Sequence, residues 1–162
     1  MKVLNVHTRV VNQPILEISR LFETLASEND QMWPVNKWPS IRLDDGLKIG
    51  SKGGHGPIRY SVLQYTSGRF IQFKFSKPKG FYGTHEFEIR ELEMAKTELK
   101  HSIKMITKGR AILSWPLAIR WLHDAFIEDA FDNVENHFLT KKKKSDWSLW
   151  VKFLREFLKP KK

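Results

Sequence analysis

Residues 81–107, FYGTHEFEIRELEMAKTELKHSIKMIT, alternate apolar and polar side chains over two long runs. Odd-numbered positions from Phe81 to Ile89 form the apolar face of the first run, and charged residues take the even positions near its end. The positions from Leu99 to Met105 alternate in the same way. One buried and one solvated face is typical of an antiparallel strand. The stretch therefore predicts a hairpin that turns near Met94.

The sequence on either side of this hairpin indicates an α+β fold. The predicted elements are a strand over 3–11, a short helix from 15 to 25, a loop over 33–40, a weak strand over 41–49, a glycine-rich loop over 50–57, strands over 58–66 and 70–76, the hairpin, and a helix from 116 to about 139. Consecutive antiparallel strands followed by a long helix argue against a doubly wound parallel sheet. Two apolar stripes on opposite sides of the long helix predict either a bend near residues 125–128 or a second partner for its first half.

Charge and composition narrow the functional classes. The chain has 162 residues and a net charge of +10, of which residues 141–162 carry +7 through nine basic and two acidic residues. The body is therefore nearly balanced, and nucleic-acid binding is not expected. The sequence contains no cysteine, which excludes disulfides and thiolate chemistry. Because no signal-peptide core and no apolar run of bilayer-spanning length are found, a cytoplasmic location is expected, with at most peripheral membrane contact.

Several short motifs carry a resemblance to a known superfamily. They are His55-Gly56-Pro57-Ile58-Arg59-Tyr60, Gly83-Thr84-His85-Glu86-Phe87, His101 on the next strand, Trp115-Pro116 and Trp121-Leu122-His123-Asp124. Together with the element order, they resemble the START-related SRPBCC superfamily and, within it, the polyketide cyclase/dehydrase and lipid-transport branch. The resemblance implies a helix-grip fold, in which a curved antiparallel sheet wraps a long C-terminal helix and leaves a cavity for an apolar ligand. It implies no shared set of catalytic residues.

Two histidines on the predicted inner face of the sheet are the main candidates for chemistry. With the turn near Met94, Phe87 faces His101 across the hairpin. Ile103 then faces His85, so the two histidine rings are diagonal neighbours. Such imidazoles either stabilise the core through hydrogen bonds, anchor a ligand oxygen, or serve as general acid and base in a cyclase or dehydratase. Neither HxH nor HExxH spacing occurs among the histidines, so neither a metal nor a cofactor is predicted.

The leading prediction is the binding of a small hydrophobic or aromatic molecule, lipids included, in an internal cavity. His55 is placed in the glycine-rich loop at the mouth of this cavity. Arg59 and Tyr60 lie on opposite faces of their strand, and the sequence does not decide which of them faces inward. The expected ligand-binding residues are His55, Tyr60, Phe73, His85, Phe87, His101, Ile103 and Trp121.

Residues 147–158, WSLWVKFLREFL, predict an amphipathic helix that follows four lysines. Its apolar arc suits packing on the same domain, on a second copy of the chain, or on an anionic membrane surface. Membrane contact would use Trp147, Trp150, Phe153 and Phe157. The change in composition at Thr140 divides the chain into a domain over 1–140, a basic linker over 141–145, and an amphipathic helix and tail over 146–162.

Overall fold

The strands of the chain form one curved antiparallel sheet, in a computed structural model that describes residues 1–158. The strands are β1 (Lys2–Val11), β2 (Arg42–Leu43), β3 (Lys52–His55), β4 (Ile58–Thr66), β5 (Phe70–Lys77), β6 (Phe81–Glu93) and β7 (Lys96–Thr107). Their order in the sheet is β1-β7-β6-β5-β4-β3-β2. The helices are α1 (Ile15–Phe22), α2 (Ala111–Ser114), α3 (Arg120–Asn136) and α4 (Leu149–Phe157). The predicted α+β helix-grip architecture is confirmed.

The hairpin of β6 and β7 has the register that the alternation predicts. His85 is paired with Ile103, and Phe87 is paired with His101. Residues 94 and 95 make the turn, where Ala95 adopts a positive φ of 61°. Because side chains alternate between faces along a strand, this register sends both histidine rings to the inner face of the sheet.

The glycine-rich segment is a strand rather than the predicted loop. Residues 52–55 form β3 and pair with β4, while the weak strand predicted over 41–49 is limited to Arg42–Leu43. A Cβ atom at Gly53 would overlap the carbonyl oxygen of Arg42 on the neighbouring strand. Glycine therefore serves here to let two strands approach closely, a use that composition alone does not distinguish from a flexible loop.

The long C-terminal helix is irregular at its start and not in its middle. Trp115–Ile119 form a π-helical turn between α2 and α3, and α3 then continues from Arg120 to Asn136. The predicted bend near residues 125–128 is therefore wrong. Proline at position 116 has no backbone N–H to donate, which favours an irregular turn at this point. The apolar stripe on the first half of the helix is largely exposed, with Leu117 60% and Trp121 41% accessible.

The main core lies between the inner face of the sheet and the helices α1 and α3. Phe22, Ile71, Phe73, Ile127 and Phe131 in this core have no accessible surface. A smaller core, centred on Phe81, Ile103, Met105, Ala111 and Trp115, lies where β6 and β7 meet α2. None of the helices in residues 1–158 is both long and apolar enough to cross a membrane.

The segment after α3 returns along the body and places α4 against it. The buried carboxylate of Asp129 accepts hydrogen bonds from Trp38 Nε1 at 2.8 Å and from Trp147 Nε1 at 2.9 Å. It also forms an ion pair with Lys37. The Arg155 guanidinium lies 4.2 Å from both indole centroids. One face of α4 is thus fixed on the domain through charge, cation–π and apolar contacts.

Candidate functional site

Aromatic and imidazole rings from six elements meet on the inner face of the sheet. We call this group the ring cluster, and its members are Trp33, His55, Tyr60, Phe73, His85, Phe87, His101, His123 and Phe126. Strands β3 to β7 supply the middle of the cluster, and α3 supplies His123 and Phe126. The loop between α1 and β2 supplies Trp33, which closes one end.

His85 occupies the centre of the ring cluster. Its ring stacks on Phe73 and on Phe75, with centroid distances of 4.8 and 4.7 Å, and meets Tyr60 edge-on at 4.8 Å. The His85 and His101 centroids are 5.8 Å apart. These contacts enclose His85 in apolar surface, where only the uncharged imidazole is favourable.

The cluster continues from His101 toward α3 and from Tyr60 toward β3. His101 lies 4.4 Å from Phe87 and 4.9 Å from His123, measured between centroids. At the other end, His55 Nδ1 hydrogen-bonds with the Tyr60 hydroxyl at 3.1 Å, and its ring stacks on Phe126. Four of the six histidines in the sequence therefore lie in one connected interior group.

Several imidazole nitrogens in this group are buried without a hydrogen-bond partner. They are His85 Nε2, His101 Nδ1, His123 Nδ1 and His123 Nε2. Of the roles considered for these imidazoles, stabilisation of the core through hydrogen bonds is therefore not fulfilled by these atoms. An unsatisfied buried polar group costs about 1–3 kcal/mol, so a molecule that supplied the missing hydrogen bonds would bind favourably here.

Burial sets the protonation state of the cluster. Burial lowers the pKa of His55 to about 3, and it holds the pKa of both His85 and His101 well below the usual range. Burial also raises the pKa of Tyr60. Near neutral pH the site therefore presents neutral imidazoles and a neutral phenol, groups that both donate and accept hydrogen bonds.

The rings of the ring cluster fill the space that was predicted to be a cavity. Phe73 is fully buried, and Tyr60 and Phe87 expose 1% and 2% of their surface. Two grooves of about 380 and 440 Å³ lie on the surface of residues 1–158, outside this interior. The expected internal cavity is closed in this conformation, because large aromatic side chains on facing strands pack to the density of a protein interior.

The ring cluster brings together most of the residues that the sequence singled out. His55, Tyr60, Phe73, His85, Phe87 and His101 all belong to it. Tyr60 is the inward member of the Arg59–Tyr60 pair, while Arg59 is exposed and donates to the Gly56 carbonyl. His55 lies inside the cluster and not at the mouth of a cavity.

Two predicted site residues lie elsewhere. Ile103 belongs to the smaller core beside Trp115. Trp121 faces the surface on the first turn of α3, where its indole nitrogen donates to the Pro116 carbonyl at 3.0 Å. Its assignment to a cavity wall is therefore corrected, because the helical stripe that carries it is not turned toward the sheet.

Trp33, His123 and Phe126 were not among the predicted site residues. Trp33 sits in the proline-containing loop over 33–40, and its ring is 4.4 Å from Phe126 and 5.0 Å from His55. The Asp30 carboxylate accepts hydrogen bonds from the backbone of Ala26, Met32 and Trp33, which fixes this part of the loop. The apolar character of Trp33 and Phe126 and the position of His123 in a quoted motif were visible signals, but the direction of a loop residue such as Trp33 is set by tertiary structure.

A row of charged and polar side chains connects β1 to α3 beside the cluster. His7 donates from Nδ1 to Glu128 at 2.9 Å and from Nε2 to Asp124 at 3.1 Å, and Arg9 pairs with Glu128, Asp132 and Glu135. Burial lowers the pKa of His7, but its hydrogen bonds to the two carboxylates outweigh burial and leave that pKa above its ordinary value. The row fixes the edge strand to the helix.

Solved structures with the same architecture support the fold. A Nitrosospira multiformis protein has a TM-score of 0.65 at 11% identity, over 85% of this chain and 97% of its own. A Bacillus cereus protein has 0.63 at 14%, over 85% and 96%. Norcoclaurine synthase from Thalictrum flavum, in complex with dopamine and hydroxybenzaldehyde, has 0.63 at 12%, over 89% and 90%.

The chain thus has the same α+β helix-grip fold as norcoclaurine synthase. No protein-family model and no curated protein matches the sequence. Identities of this size extend to the fold, so any function is argued from the site itself.

Proposed function

We propose that the ring cluster binds a small aromatic molecule that carries hydrogen-bonding groups. The observation that carries this proposal is the pair of unpartnered nitrogens, His85 Nε2 and His101 Nδ1, on imidazoles that pack among aromatic rings. Aromatic side chains supply stacking surface, and the imidazoles supply a few oriented polar contacts, a combination typical of small-molecule sites. The complex of norcoclaurine synthase with two aromatic compounds is consistent with this use of the fold.

Binding requires the closed cluster to open. Tyr60 belongs to the cluster and also lines the surface groove of about 380 Å³, together with Lys52 and Arg59. This groove therefore offers a route from solvent toward His85. Each ring pair contributes only about 0.5–1.5 kcal/mol beyond its buried area. An aromatic ligand that displaced one or two rings would replace the lost ring–ring contacts with similar contacts of its own.

Isothermal titration of the full chain with hydroxybenzaldehyde tests the proposal. The variant His85→Phe keeps the ring but removes the nitrogens, and the loss of one hydrogen bond should weaken binding about 2- to 12-fold. His137→Gln is the matched control, because His137 is an exposed histidine at the end of α3. Equal affinity in wild type and His85→Phe, or an equal loss in His137→Gln, would contradict the proposal.

We also propose contact with an anionic membrane surface through α4. Val151 and Leu154 face the body and are buried, whereas Leu149, Trp150, Phe153 and Phe157 are exposed. The Trp150, Phe153 and Phe157 rings stack in sequence, with centroid separations of 5.3 and 6.2 Å. Trp147 packs on Asp129, so it is removed from the predicted contact set.

Charge favours a membrane over other partners for this face. Residues 141–144 are four exposed lysines that end four residues before α4, and Lys152 is exposed within the helix. A stacked aromatic stripe flanked by cations suits the interface of an anionic bilayer. The residues at 159–162, which include Lys159, Lys161 and Lys162, lie outside the described part of the chain.

Co-sedimentation with vesicles of phosphatidylglycerol and phosphatidylcholine tests this second proposal. The double variant Trp150→Ser/Phe153→Ser should lose binding, and vesicles of phosphatidylcholine alone should bind weakly even with the wild type. Leu4→Ser is the control, since Leu4 is exposed on the outer face of the sheet, away from α4. Unchanged binding by the double variant, or a dimer that this variant dissociates, would contradict the membrane assignment.

A further inference from the structure

We propose that His7, His123 and Asp124 form a binding site for zinc, at the edge where β1 meets the start of α3. One nitrogen from each imidazole and one carboxylate oxygen all lie within 4.8 Å of one another. The site goes beyond the binding of an aromatic molecule, since His7 and Asp124 are not members of the ring cluster.

Two of the three separations between the candidate ligand atoms are close to those of tetrahedral coordination, and the two histidine nitrogens lie within 4.8 Å of each other. His7 Nε2 lies 3.1 Å from Asp124 Oδ1, and His123 Nδ1 lies 3.5 Å from the same oxygen. Zinc bonds of 2.0–2.1 Å in tetrahedral geometry place ligand atoms about 3.3 Å apart. A zinc ion between these three atoms would therefore need only small side-chain adjustments, replacing the proton that His7 Nε2 shares with Asp124.

The surrounding residues orient the ligands as the outer shell of a metal site does. His7 uses its other nitrogen, Nδ1, to donate to Glu128 at 2.9 Å, and Arg9 in turn donates to Glu128 at 2.7 Å. A carboxylate on the far nitrogen of a ligating histidine is the usual arrangement at zinc sites. Asn5 holds the Asp124 carboxylate through a hydrogen bond of 2.9 Å.

Unpartnered polar atoms at the same place point to a missing bonding partner. Neither ring nitrogen of His123 has a hydrogen bond, and Asn5 Oδ1 is also buried without one. A purely structural ion-pair cluster would explain His7, which bonds two carboxylates, but it leaves His123 with only a long 3.5 Å contact from Nδ1 to Asp124 and with no partner for Nε2. A cation bound here would give His123 Nδ1 a short bond in place of its long contact with Asp124.

The donor set and the access to it suit zinc. Imidazole and carboxylate donors are typical zinc ligands, and three protein ligands leave a fourth position open. The surface groove of about 440 Å³ is lined by Asn5 and Arg120, both of which contact Asp124. The side chains of His7, His123 and Asp124 keep 14%, 15% and 28% of their surface accessible, while the ring nitrogens of His123 are buried, so a bound ion would lie below the floor of this groove.

Equilibrium dialysis of the full chain against Zn²⁺, after treatment with a chelator, tests the site. One zinc per chain is expected, and His123→Gln and Asp124→Asn should each abolish stoichiometric binding. His137→Gln is the matched control and should bind as the wild type does. Circular dichroism of each variant separates loss of metal from loss of fold, and the Co²⁺-loaded wild type should show the intense visible absorption of a four-coordinate site.

The variant Glu128→Gln tests whether the residues around the ligands tune the zinc affinity, as they would at a specific site. Because Glu128 touches His7 and not the metal, this variant should retain the stoichiometry and lower the zinc affinity about 10- to 100-fold. Mg²⁺ in excess should not compete, since it prefers an octahedron of oxygen ligands. No stoichiometric zinc in the wild type, or equal binding in wild type, His123→Gln and Asp124→Asn, would overturn the proposal and leave hydroxybenzaldehyde binding by the ring cluster unaffected.

Discussion

His85 and His101 stand diagonally across β6 and β7, with ring centroids 5.8 Å apart and both rings on the inner face of the sheet. Each of the two rings has a buried nitrogen without a hydrogen bond. A core selected only for stability would place phenylalanine at such positions, because an apolar ring fills the same space without an unsatisfied group. The pair is therefore the feature of this interior that most needs a functional explanation.

Replacement of His85 by phenylalanine should stabilise the protein. The ring would keep its stacking on Phe73 and Phe75, and the cost of the buried Nε2 would be removed. We expect the free energy of unfolding in urea to rise by about 1 kcal/mol. The surface variant His137→Phe should change it by less than about 0.5 kcal/mol. A loss of more than 1 kcal/mol in His85→Phe would show that the imidazole is a structural group with bonds of its own.

The buried neutral histidines should make the fold sensitive to acid. His55 has an ordinary pKa of 6.5 when unfolded and about 3 when folded, so the unfolded chain takes up a proton first as the pH falls. The contribution of His55 is fully present above pH 6.5 and is lost progressively between that pH and about 3. The expected slope is about 1.4 kcal/mol per pH unit for this one group.

Urea unfolding of wild type and His55→Phe between pH 7 and 4 measures this contribution. Subtracting the free energies of unfolding of the two proteins cancels the contributions of the other titrating groups. One of these groups is His7, whose raised pKa makes the fold more stable as the pH falls. Parallel pH profiles for the two proteins would mean that His55 is not buried in its neutral form.

Removal of the Asp129 carboxylate should loosen α4. Asp129→Ala leaves Lys37, Trp38 and Trp147 without their common acceptor, in a place where the carboxylate has no accessible surface. We expect a loss of about 3–5 kcal/mol in stability, the usual effect of breaking a buried pair. Hydrogen exchange should also become faster in Leu149–Phe157.

Asp146→Ala is the control for this variant, because Asp146 is an exposed carboxylate next to Trp147. It should change stability by less than about 0.5 kcal/mol. Unaltered exchange in α4 for Asp129→Ala would mean that apolar contacts through Val151 and Leu154 hold the helix without the polar centre.

The sequence was sufficient for the β6–β7 hairpin because alternation is a local property. The period of two in residues 81–107 and a turn near Met94 set the pairing of His85 with Ile103, as observed. The same reasoning failed for β3, where glycines serve close strand contact, and for the long helix, whose irregularity lies at Trp115–Ile119. At β3 the structure is decided by the close approach of Arg42 on a neighbouring strand, and in the helix it is decided by Pro116, whose effect the periodicity of apolar residues does not show.

Only part of the candidate site could be predicted from the sequence pattern. His85 and His101 lie on regular strands, so their direction could be predicted. Trp33 comes from a loop, and the approach of His7 to Asp124 joins residues 117 positions apart, which no sequence spacing reveals. The filled interior also depends on side-chain volumes summed over several strands, a quantity that a pattern of apolar positions does not determine.

The most direct test of the central claim is nitrogen-15 NMR of the histidine side chains during titration with hydroxybenzaldehyde. Imidazole nitrogen shifts report hydrogen bonding and protonation atom by atom. The ring-cluster account predicts saturable changes at His85 Nε2 and His101 Nδ1, with the His137 signals unmoved. Saturation of the titration with no change at either nitrogen, or with changes confined to His137, would contradict it.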